Sequence, residues 1–217
     1  MEINADFGKR AAMHGARLPW VPSPMPGVER RMLDRVGGEV ARATSIVRYA
    51  PGSLFSSHVH GGGEEFLVLD GVFSDEHGDY PAGWYIRNPP TSQHTPGSAP
   101  GCTIFVKLWQ FDPEDRKGIR VDTDALSFMP SAERAGVDAK QLWEDERELV
   151  RLERWTAGSR IELNSSAGLE VLVTSGWFTD GDEVFERHSW LRLPEGAKLT
   201  AQTGPSGCKV WIKTRLP

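Results

Sequence analysis

Short runs of β-branched and aromatic residues, separated by glycines and prolines, make up most of the hydrophobic pattern of this chain. Runs of this length, bounded by turn-forming residues, are typical of β-strands. Their regular spacing indicates a sandwich or barrel of antiparallel strands. The predicted strands are residues 44–49, 66–73, 84–88, 102–111, 150–155, 169–178, 190–193 and 208–214.

Helical periodicity is scarce in the sequence. The best candidate for a helix is residues 139–149, AKQLWEDEREL, and the same segment also fits a loop that leads into the next strand. The chain is therefore expected to be all-β.

An internal repeat organises the predicted strands, with matching segments 105 or 106 residues apart. RYAPG matches RWTAG, and GVFSD matches GWFTD, in the same order along the chain. The aligned pairs are Gly52 and Gly158, Gly71 and Gly176, Pro89 and Pro194, and Cys102 and Cys208. Because the offset is nearly constant, we expect a duplicated unit, with similar β-barrels at residues 1–112 and 113–217.

Composition narrows the class of protein. The chain has 217 residues, of which 39% are hydrophobic and 25% charged, as in ordinary globular proteins. A net charge of −5 argues against a nucleic-acid or anionic-membrane partner. No apolar run is long enough to span a bilayer, and MEINADFGKR lacks the apolar core of a secretory signal. Since two cysteines give no disulfide framework, a cytoplasmic location is expected.

The candidate chemistry lies in the stretch from Gly52 to Gly71, GSLFSSHVHGGGEEFLVLDG. On a strand, residues i and i+2 face the same side, so His58 and His60 would present their imidazoles together. His94 would have to arrive from a neighbouring strand. Three imidazoles and one carboxylate suit Zn²⁺, Fe²⁺, Mn²⁺, Ni²⁺ or Cu²⁺.

Two motifs in this region resemble the paired signature of the cupin superfamily. The first is Gly52, five residues, His58-Val-His60, three residues, Glu64, six residues and Gly71. The second is Gly83, five residues, Pro89-Pro90-Thr91, two residues, His94, three residues and Ser98. Thr91 and Ser98 replace the glycine and asparagine that are usual in the superfamily. The resemblance implies a jelly-roll barrel, or double-stranded β-helix, and hence a bicupin.

The sequence of residues 60–94 and 101–111 resembles the cupin domain of ChrR-type anti-sigma factors more closely than it resembles cupins in general. This resemblance covers about residues 15–115. It implies that the metal ligands are His58, His60, Glu64 and His94. The implied ion is zinc, with iron, manganese or nickel as alternatives. Glu65 competes with Glu64, but the spacing to Gly71 favours Glu64 and leaves Glu65 as a surface or strand-edge carboxylate.

Two functions follow from these motifs. The resemblance implies a regulatory or sensory metallo-module, whereas other cupins with such ligands are metal-dependent enzymes, dioxygenases or isomerases, that act on a small molecule. The small-molecule ligand would occupy the N-terminal barrel. In the family, the sigma factor is bound by a separate domain whose zinc ligands include cysteine. No cysteine precedes Cys102 here, so sigma-factor binding is not expected to carry over. Pairing through edge strands would make a homodimer.

The second repeat has lost the ligand set. With Gly158 placed on Gly52, the positions of His58 and His60 fall on Asn164 and Ser166. The position of Glu64 falls on Leu169 or Glu170, and the position of His94 falls on Leu199. We therefore expect one metal per chain, in the N-terminal barrel, with the C-terminal barrel serving as a scaffold or in dimerisation.

The other residues with reactive side chains are expected to have structural roles. Cys102 and Cys208 each open an apolar strand and are expected to fill the core, with redox sensing as the alternative for Cys102. His14, His77 and His188 are expected to be isolated loop residues.

Overall fold

The computed structural model describes residues 1–38 and 40–216. In these residues the regular structure consists of strands and two 3-10 helices, Gly15–Arg17 and Thr123–Ala125, which confirms the predicted all-β class. No helix in the described part of the chain is long and apolar enough to cross a membrane.

Each of the eight predicted strands falls on an observed strand, and the strand predicted at 102–111 ends at Leu108. In chain order the strands are β1 (Glu2–Ile3), β2 (Ala11–His14), β3 (Val21–Pro22), β4 (Val28–Gly37), β5 (Ala41–Tyr49), β6 (Ser53–Leu54), β7 (His58–Val59), β8 (Glu64–Asp75), β9 (Gly78–Pro81), β10 (Trp84–Asn88), β11 (Gln93–His94), β12 (Gly97–Ser98), β13 (Cys102–Leu108), β14 (Ile119–Asp122), β15 (Met129–Pro130), β16 (Val137–Glu144), β17 (Glu148–Trp155), β18 (Arg160–Asn164), β19 (Leu169–Asp180), β20 (Glu183–Glu186), β21 (Ser189–Leu193) and β22 (Lys198–Arg215).

The predicted helix at 139–149 is wrong. These residues form most of an antiparallel hairpin of β16 and β17, in which Lys140 lies opposite Leu152. Burial alternates along β16, because Lys140 and Leu142 are buried while Gln141 between them is exposed. Pairing with β17 therefore overrides the helical propensity of the glutamates and leucines in this segment.

The chain divides into two compact units. The first comprises Met1–Ala5 and Pro19–Ala125, and the second comprises Asp6–Leu18 and Leu126–Pro217. These units differ in two places from the division into 1–112 and 113–217. Residues 113–125 lie in the first unit, and residues 6–18 lie in the second.

The two units have the same strand order. In the first unit the spatial order of neighbouring strands is β4, β5, β13, β8, β10 and β14. In the second unit it is β16, β17, β22, β19, β21 and β2. Strand β14 thus occupies in the first unit the position that β2 occupies in the second. A common order of six strands is what a duplicated unit predicts.

The first strand of each repeat pairs in the unit built from the other repeat. Strand β2 is followed by a 3-10 turn and the sequence Leu18-Pro-Trp-Val-Pro22, and β14 by a 3-10 turn and Leu126-Ser-Phe-Met-Pro130. Yet β2 pairs with β21, and β14 pairs with β10. The repeats have therefore exchanged their first strands, which explains why residues 6–18 belong to the second unit.

Each unit needs glycine at one equivalent point of a long central strand, β8 in the first unit and β19 in the second. Gly71 and Gly176 have φ angles of 71° and 73°. A Cβ at these positions would lie 2.0 Å from the oxygen of Gly101 and 2.2 Å from that of Gly207. Any other residue would push the neighbouring strand away, so the repeated glycine marks a close approach of two backbones.

The strands bury an apolar face and also a row of charged residues. Phe66 lies in the core of the first unit, and Glu65 points to the opposite face of β8. Glu65 is buried, lies opposite Arg87 and Lys107, and accepts a hydrogen bond of 2.8 Å from Tyr85 Oη. The second unit repeats this row with Glu170, Arg192, Lys213 and Trp190. Glu65 is therefore not the surface or strand-edge carboxylate that the sequence predicted.

Replacing Leu199 with alanine tests the core of the second unit. Leu199 has 0% exposure within the apolar cluster of that unit. Since the cavity left behind cannot close completely, the Leu199→Ala variant is expected to lose about 2–5 kcal/mol in the free energy of unfolding, measured with denaturant. Glu195→Ala, at a nearby exposed position, is the control and should change stability by about 0.5 kcal/mol or less. A Leu199→Ala variant as stable as this control would contradict the assignment.

Candidate metal centre

Three histidines converge in the first unit. Strand β7 pairs with β11, which places His94 directly opposite His58. The pairing continues past β7, because the amide of His60 donates to the oxygen of Ser92 at 2.9 Å. The centroids of the three imidazole rings lie 4.6–5.0 Å apart. Each histidine offers a nitrogen within 4.8 Å of the others, so the cluster can hold a metal ion.

Glu64 lies beside two of these histidines. Its Oε2 is 3.3 Å from Nε2 of His60 and 3.6 Å from Nε2 of His94. The amide of Asn88, opposite Glu64 on β10, donates to the same oxygen at 3.2 Å. The structure thus brings His58, His60, Glu64 and His94 together, while their role as metal ligands stays a prediction.

The buried nitrogens of this cluster fit a metal. Nε2 of His60 and Nε2 of His94 are buried and have no hydrogen-bond partner among the described residues. Leaving such polar atoms without a partner costs free energy. A divalent cation would accept both lone pairs and balance the charge of Glu64. His58 is exposed, so the cluster is open on that side.

Ser92 orients the imidazole of His60. Its hydroxyl lies 3.0 Å from Nδ1 of His60 and donates a hydrogen bond of 2.6 Å to the oxygen of Pro89. Because the hydroxyl proton is used in that second bond, Ser92 Oγ accepts from Nδ1–H of His60. This arrangement leaves the Nε2 lone pair of His60 for a metal.

Asp75 lies behind His94. Its buried carboxylate places Oδ2 3.5 Å from Nδ1 of His94, while Oδ1 accepts a hydrogen bond of 3.0 Å from Tyr80 Oη. A carboxylate behind a metal-binding histidine is a common arrangement, since it fixes the ring and increases its basicity. Sequence reasoning missed Asp75, Ser92 and Asn88. The acidic pair Asp75-Glu76, where β8 ends, was the signal for Asp75.

Three glycines form the turn between His60 and Glu64. Gly63 has a φ of 76°, as expected for a tight reversal. A Cβ at Gly62 would lie 2.4 Å from the ring of Trp109, and a Cβ at Gly63 would lie 2.4 Å from the ring of Phe111. The glycines therefore serve two purposes: they allow the reversal and they leave room for these rings.

The second motif carries local strain. Thr91, which replaces the usual glycine, has a φ of 71°. A β-branched residue in this region costs about 1–3 kcal/mol. The amide of Thr91 donates to the oxygen of His60 at 2.9 Å, so the strained residue helps to hold the cluster.

Burial and neighbouring groups set the charges of Glu64 and His94. Burial alone would raise the pKa of Glu64, but the imidazoles of His60 and His94 and the amide of Asn88 outweigh it and lower that pKa. Burial lowers the pKa of His94, despite the opposing carboxylates of Glu64 and Asp75. At neutral pH the pair is thus an anionic carboxylate and a neutral imidazole, the forms that bind a metal.

A cavity of about 190 Å³ adjoins the cluster within the first unit. His58, Glu64 and His94 form part of its wall. Most of the other lining side chains are apolar, including Val47, Ile104 and others on β4, β5 and β13. A small organic molecule would fit beside the cluster.

The second unit has apolar residues where the first has ligands. Leu199 pairs with Leu163 as His94 pairs with His58. The amide of Ser165 donates a hydrogen bond to the oxygen of Ala197, just as the amide of His60 donates to that of Ser92. Leu169 is the first residue of β19, and Glu64 is the first residue of β8. The four counterparts are therefore Leu163, Ser165, Leu169 and Leu199.

This register corrects the sequence alignment. Asn164 and Ser166 were each placed one residue too far along, because the second repeat is one residue shorter between Gly158 and Leu163. Glu170 is the counterpart of Glu65, not of Glu64. The three leucines are buried in the core of the second unit, where a metal would lie in the first.

The other candidate residues have structural surroundings. Cys102 and Cys208 are free and buried, and burial raises the pKa of these thiols to about 11 and about 12. Both values favour the core-filling role over redox sensing by Cys102. His14 is not an isolated loop residue, since it lies on β2 with Nδ1 3.2 Å from Ser189 Oγ and Nε2 3.2 Å from Glu183 Oε1.

Comparison with solved structures shows the fold. A protein of Nostoc punctiforme described as a candidate dioxygenase has a TM-score of 0.75 at 15% identity, over 98% of this chain and 81% of that one. The Escherichia coli pirin YhhW in complex with nickel(II) has a TM-score of 0.69 at 10% identity, over 96% and 99%. Oxalate decarboxylase of Lactobacillus farciminis has a TM-score of 0.66 at 10% identity, over 95% and 86%.

These similarities confirm that the chain has the duplicated cupin fold. Residues 8–112 match the family of ChrR cupin-like domains. The match covers 105 of the 217 residues, just under half of the chain, and agrees with the motifs of the first repeat. No curated protein gives a match.

Loss of His94 should release the metal. Since removing an outer hydrogen-bond partner already lowers metal affinity by about 10–100-fold, removing a ligand should cost more. The His94→Ala variant is therefore expected to purify with little bound metal, as measured by elemental analysis. Leu199→Ala, at the equivalent point of the second unit, is the matched control and should keep the wild-type metal content. Equal metal contents in the two variants would show that the site is wrongly placed.

Metal affinity should fall toward acid. The pKa of His94 lies below its usual 6.5 and that of Glu64 below its usual 4.5, so protons compete with the metal only below neutrality. We expect an affinity that is nearly constant above pH 7 and decreases as the pH falls below 6.5. Competition titrations with a chelator at a series of pH values measure this. An affinity that stays flat down to pH 4.5 would contradict imidazole ligation.

Proposed function

We propose that the first unit is the catalytic centre of a metal-dependent enzyme that acts on a small organic molecule. The observation that carries this proposal is the cavity of about 190 Å³ whose wall includes His58, Glu64 and His94. A purely structural metal is closed off by protein ligands on all sides, whereas a catalytic one keeps positions for substrate. A metal bound by these residues would face the cavity.

The residues of the chain have distinct roles in this proposal. His58, His60, Glu64 and His94 hold the ion, which would be zinc, iron, manganese or nickel. When bound, such an ion polarises a substrate oxygen as a Lewis acid or supplies redox chemistry. Ser92 and Asp75 keep the imidazoles of His60 and His94 in position. The apolar side chains of the wall would contact the bound molecule.

Tyr49 is a further polar group in the cavity wall. Burial, together with the nearby Glu64 carboxylate and Cys102, raises the pKa of its phenol above the usual range. The phenol therefore keeps its proton at neutral pH and is available as a hydrogen-bond donor to a bound molecule.

The second candidate function is a regulatory or sensory metallo-module. The match of residues 8–112 to ChrR cupin-like domains favours it. In this case the cavity would bind a signal molecule without converting it, and the metal would report that binding.

Turnover by metal-loaded protein separates the two functions. Metal-free protein would be loaded with Fe²⁺, Mn²⁺, Ni²⁺ or Zn²⁺ and incubated with small diketones and organic acids, while oxygen uptake and products are measured. We expect at least one loaded form to convert a substrate, with a loss of more than about 100-fold in His94→Ala. Leu199→Ala should retain the activity. Tight metal and ligand binding without turnover in any form would favour the sensory module.

A further inference from the structure

Arg120 lies on β14, the strand that the second repeat contributes to the first unit. Its Nε donates a hydrogen bond of 2.8 Å to Tyr80 Oη. Because a guanidinium group cannot accept a hydrogen bond, the phenol of Tyr80 keeps its own proton to donate, and it donates to Oδ1 of Asp75 at 3.0 Å. Arg120, Tyr80 and Asp75 thus form a chain of hydrogen bonds that runs from β14 to the last residue of β8.

This hydrogen-bond chain ends beside the imidazole of His94. Oδ1 of Asp75 accepts from Tyr80 and also from the amide of His77 at 2.8 Å, and these two donors fix the carboxylate. Its Oδ2 lies 3.5 Å from Nδ1 of His94, and both side chains are buried. Since this distance is longer than a hydrogen bond, the carboxylate acts on the ring through its charge. A negative charge at Nδ1 favours a proton there and leaves the Nε2 lone pair on the side of Glu64.

The second unit has the same hairpin with different side chains. Strands β8 and β19 have 12 residues each, and they pair with β9 and β20 in the same register. This register places Asp180 at the position of Asp75 and Phe185 at that of Tyr80. Phe185 has no hydroxyl group to donate. The carboxylate of Asp180 is more exposed than that of Asp75, with 22% against 1% for the side chains, and it pairs with Arg10 at 3.3 Å.

Strand β2, the counterpart of β14, lacks the guanidinium group as well. Arg120 lies opposite Ile86 on β10, and Ala12 lies opposite Leu191 at the equivalent point of β21. Ala12 therefore takes the place of Arg120. The hydrogen-bond chain and the histidines are thus present together in the first unit and replaced together in the second, as expected for parts of one site. Because the same hairpin forms with phenylalanine and alanine, the fold does not require the chain.

From this comparison we propose that Tyr80 and Arg120 are positioning residues of the metal centre. They hold the Asp75 carboxylate against His94 and so keep the Nε2 lone pair of that ring available to the ion. Both residues act through Asp75. The proposal deepens the proposed function and rests on it for the claim that His94 is a metal ligand. It also gives the exchange of first strands a role, because β14 brings Arg120 to the site.

The tautomer of His94 in metal-free protein tests the proposal without an ion. Nitrogen NMR chemical shifts show which ring nitrogen carries the proton, and His94→Ala identifies the signals. At slightly alkaline pH we expect the wild-type ring to carry its proton on Nδ1. In Asp75→Asn the amide oxygen would accept from Tyr80, so the amide NH₂ would face Nδ1 and move the proton to Nε2. Tyr80→Phe should shift the tautomer in the same direction to a smaller extent.

Metal affinity provides the second measurement, by competition between the protein and a chelator for zinc. We expect Asp75→Asn to lose about 10–100-fold in affinity and Tyr80→Phe about 10-fold, as for other outer partners of metal-binding histidines. Arg120→Ala should show a smaller loss, since Tyr80 can still donate to Asp75. Phenylalanine and alanine are the residues of the second unit at these positions, so both variants are expected to fold. Circular dichroism checks this.

Tyr85→Phe is the matched control. Tyr85 also donates a hydrogen bond to a buried carboxylate, that of Glu65 at 2.8 Å, but this carboxylate lies on the opposite face of β8. The control should keep the wild-type tautomer of His94 and the wild-type metal affinity, even where its stability falls as far as that of Tyr80→Phe. The comparison therefore separates positioning of the ligand from a general loss of stability.

Three results would overturn the proposal. These are a wild-type His94 that carries its proton on Nε2, an unchanged tautomer and affinity in Asp75→Asn or Tyr80→Phe, or a loss of affinity in Tyr85→Phe as large as in Tyr80→Phe. Failure of the proposed function has a different signature. In that case the tautomer and the affinity respond as predicted, but no metal-loaded form shows turnover.

Discussion

The candidate metal centre depends on a small buried group of polar atoms, in which two imidazole nitrogens face one carboxylate oxygen. Nε2 of His60 and Nε2 of His94 point toward one carboxylate oxygen of Glu64, and neither nitrogen has a hydrogen-bond partner among the described residues. Such an arrangement is costly without a cation and favourable with one. The glycine turn, the strained Thr91 and the outer contacts of Ser92 and Asp75 all hold this group in place.

The duplication provides an internal comparison for the same backbone. Both units have the same strand order, the same glycine at a close approach of strands, and the same buried row of charged residues beside the central strand. Where the first unit has histidines and Glu64, the second has Leu163, Leu169 and Leu199 in its apolar core. The same strand order therefore accommodates either set of side chains at these positions.

Local patterns were sufficient for much of this picture. The short hydrophobic runs and the constant repeat offset predicted an all-β duplicated barrel. The motif spacing predicted that His58, His60, Glu64 and His94 lie close together, and the structure places them close together. Pairing information was missing from the sequence. The segment 139–149 has helical propensity but pairs as a hairpin, and the exchange of β2 and β14 is visible only in their partners. Arg30 and Arg35 of β4 lie on the same face of the sheet because a bulge between Met32 and Asp34 shifts the register. The local sequence pattern does not predict this bulge.

The stoichiometry of metal binding tests the central claim most directly. Metal-free protein would be titrated with zinc, and the bound metal per chain measured for the wild type and for a variant with both His58→Ala and His60→Ala. The account predicts one metal per wild-type chain and none held tightly by the double variant. Two metals per chain, or an ion retained by the double variant, would contradict it.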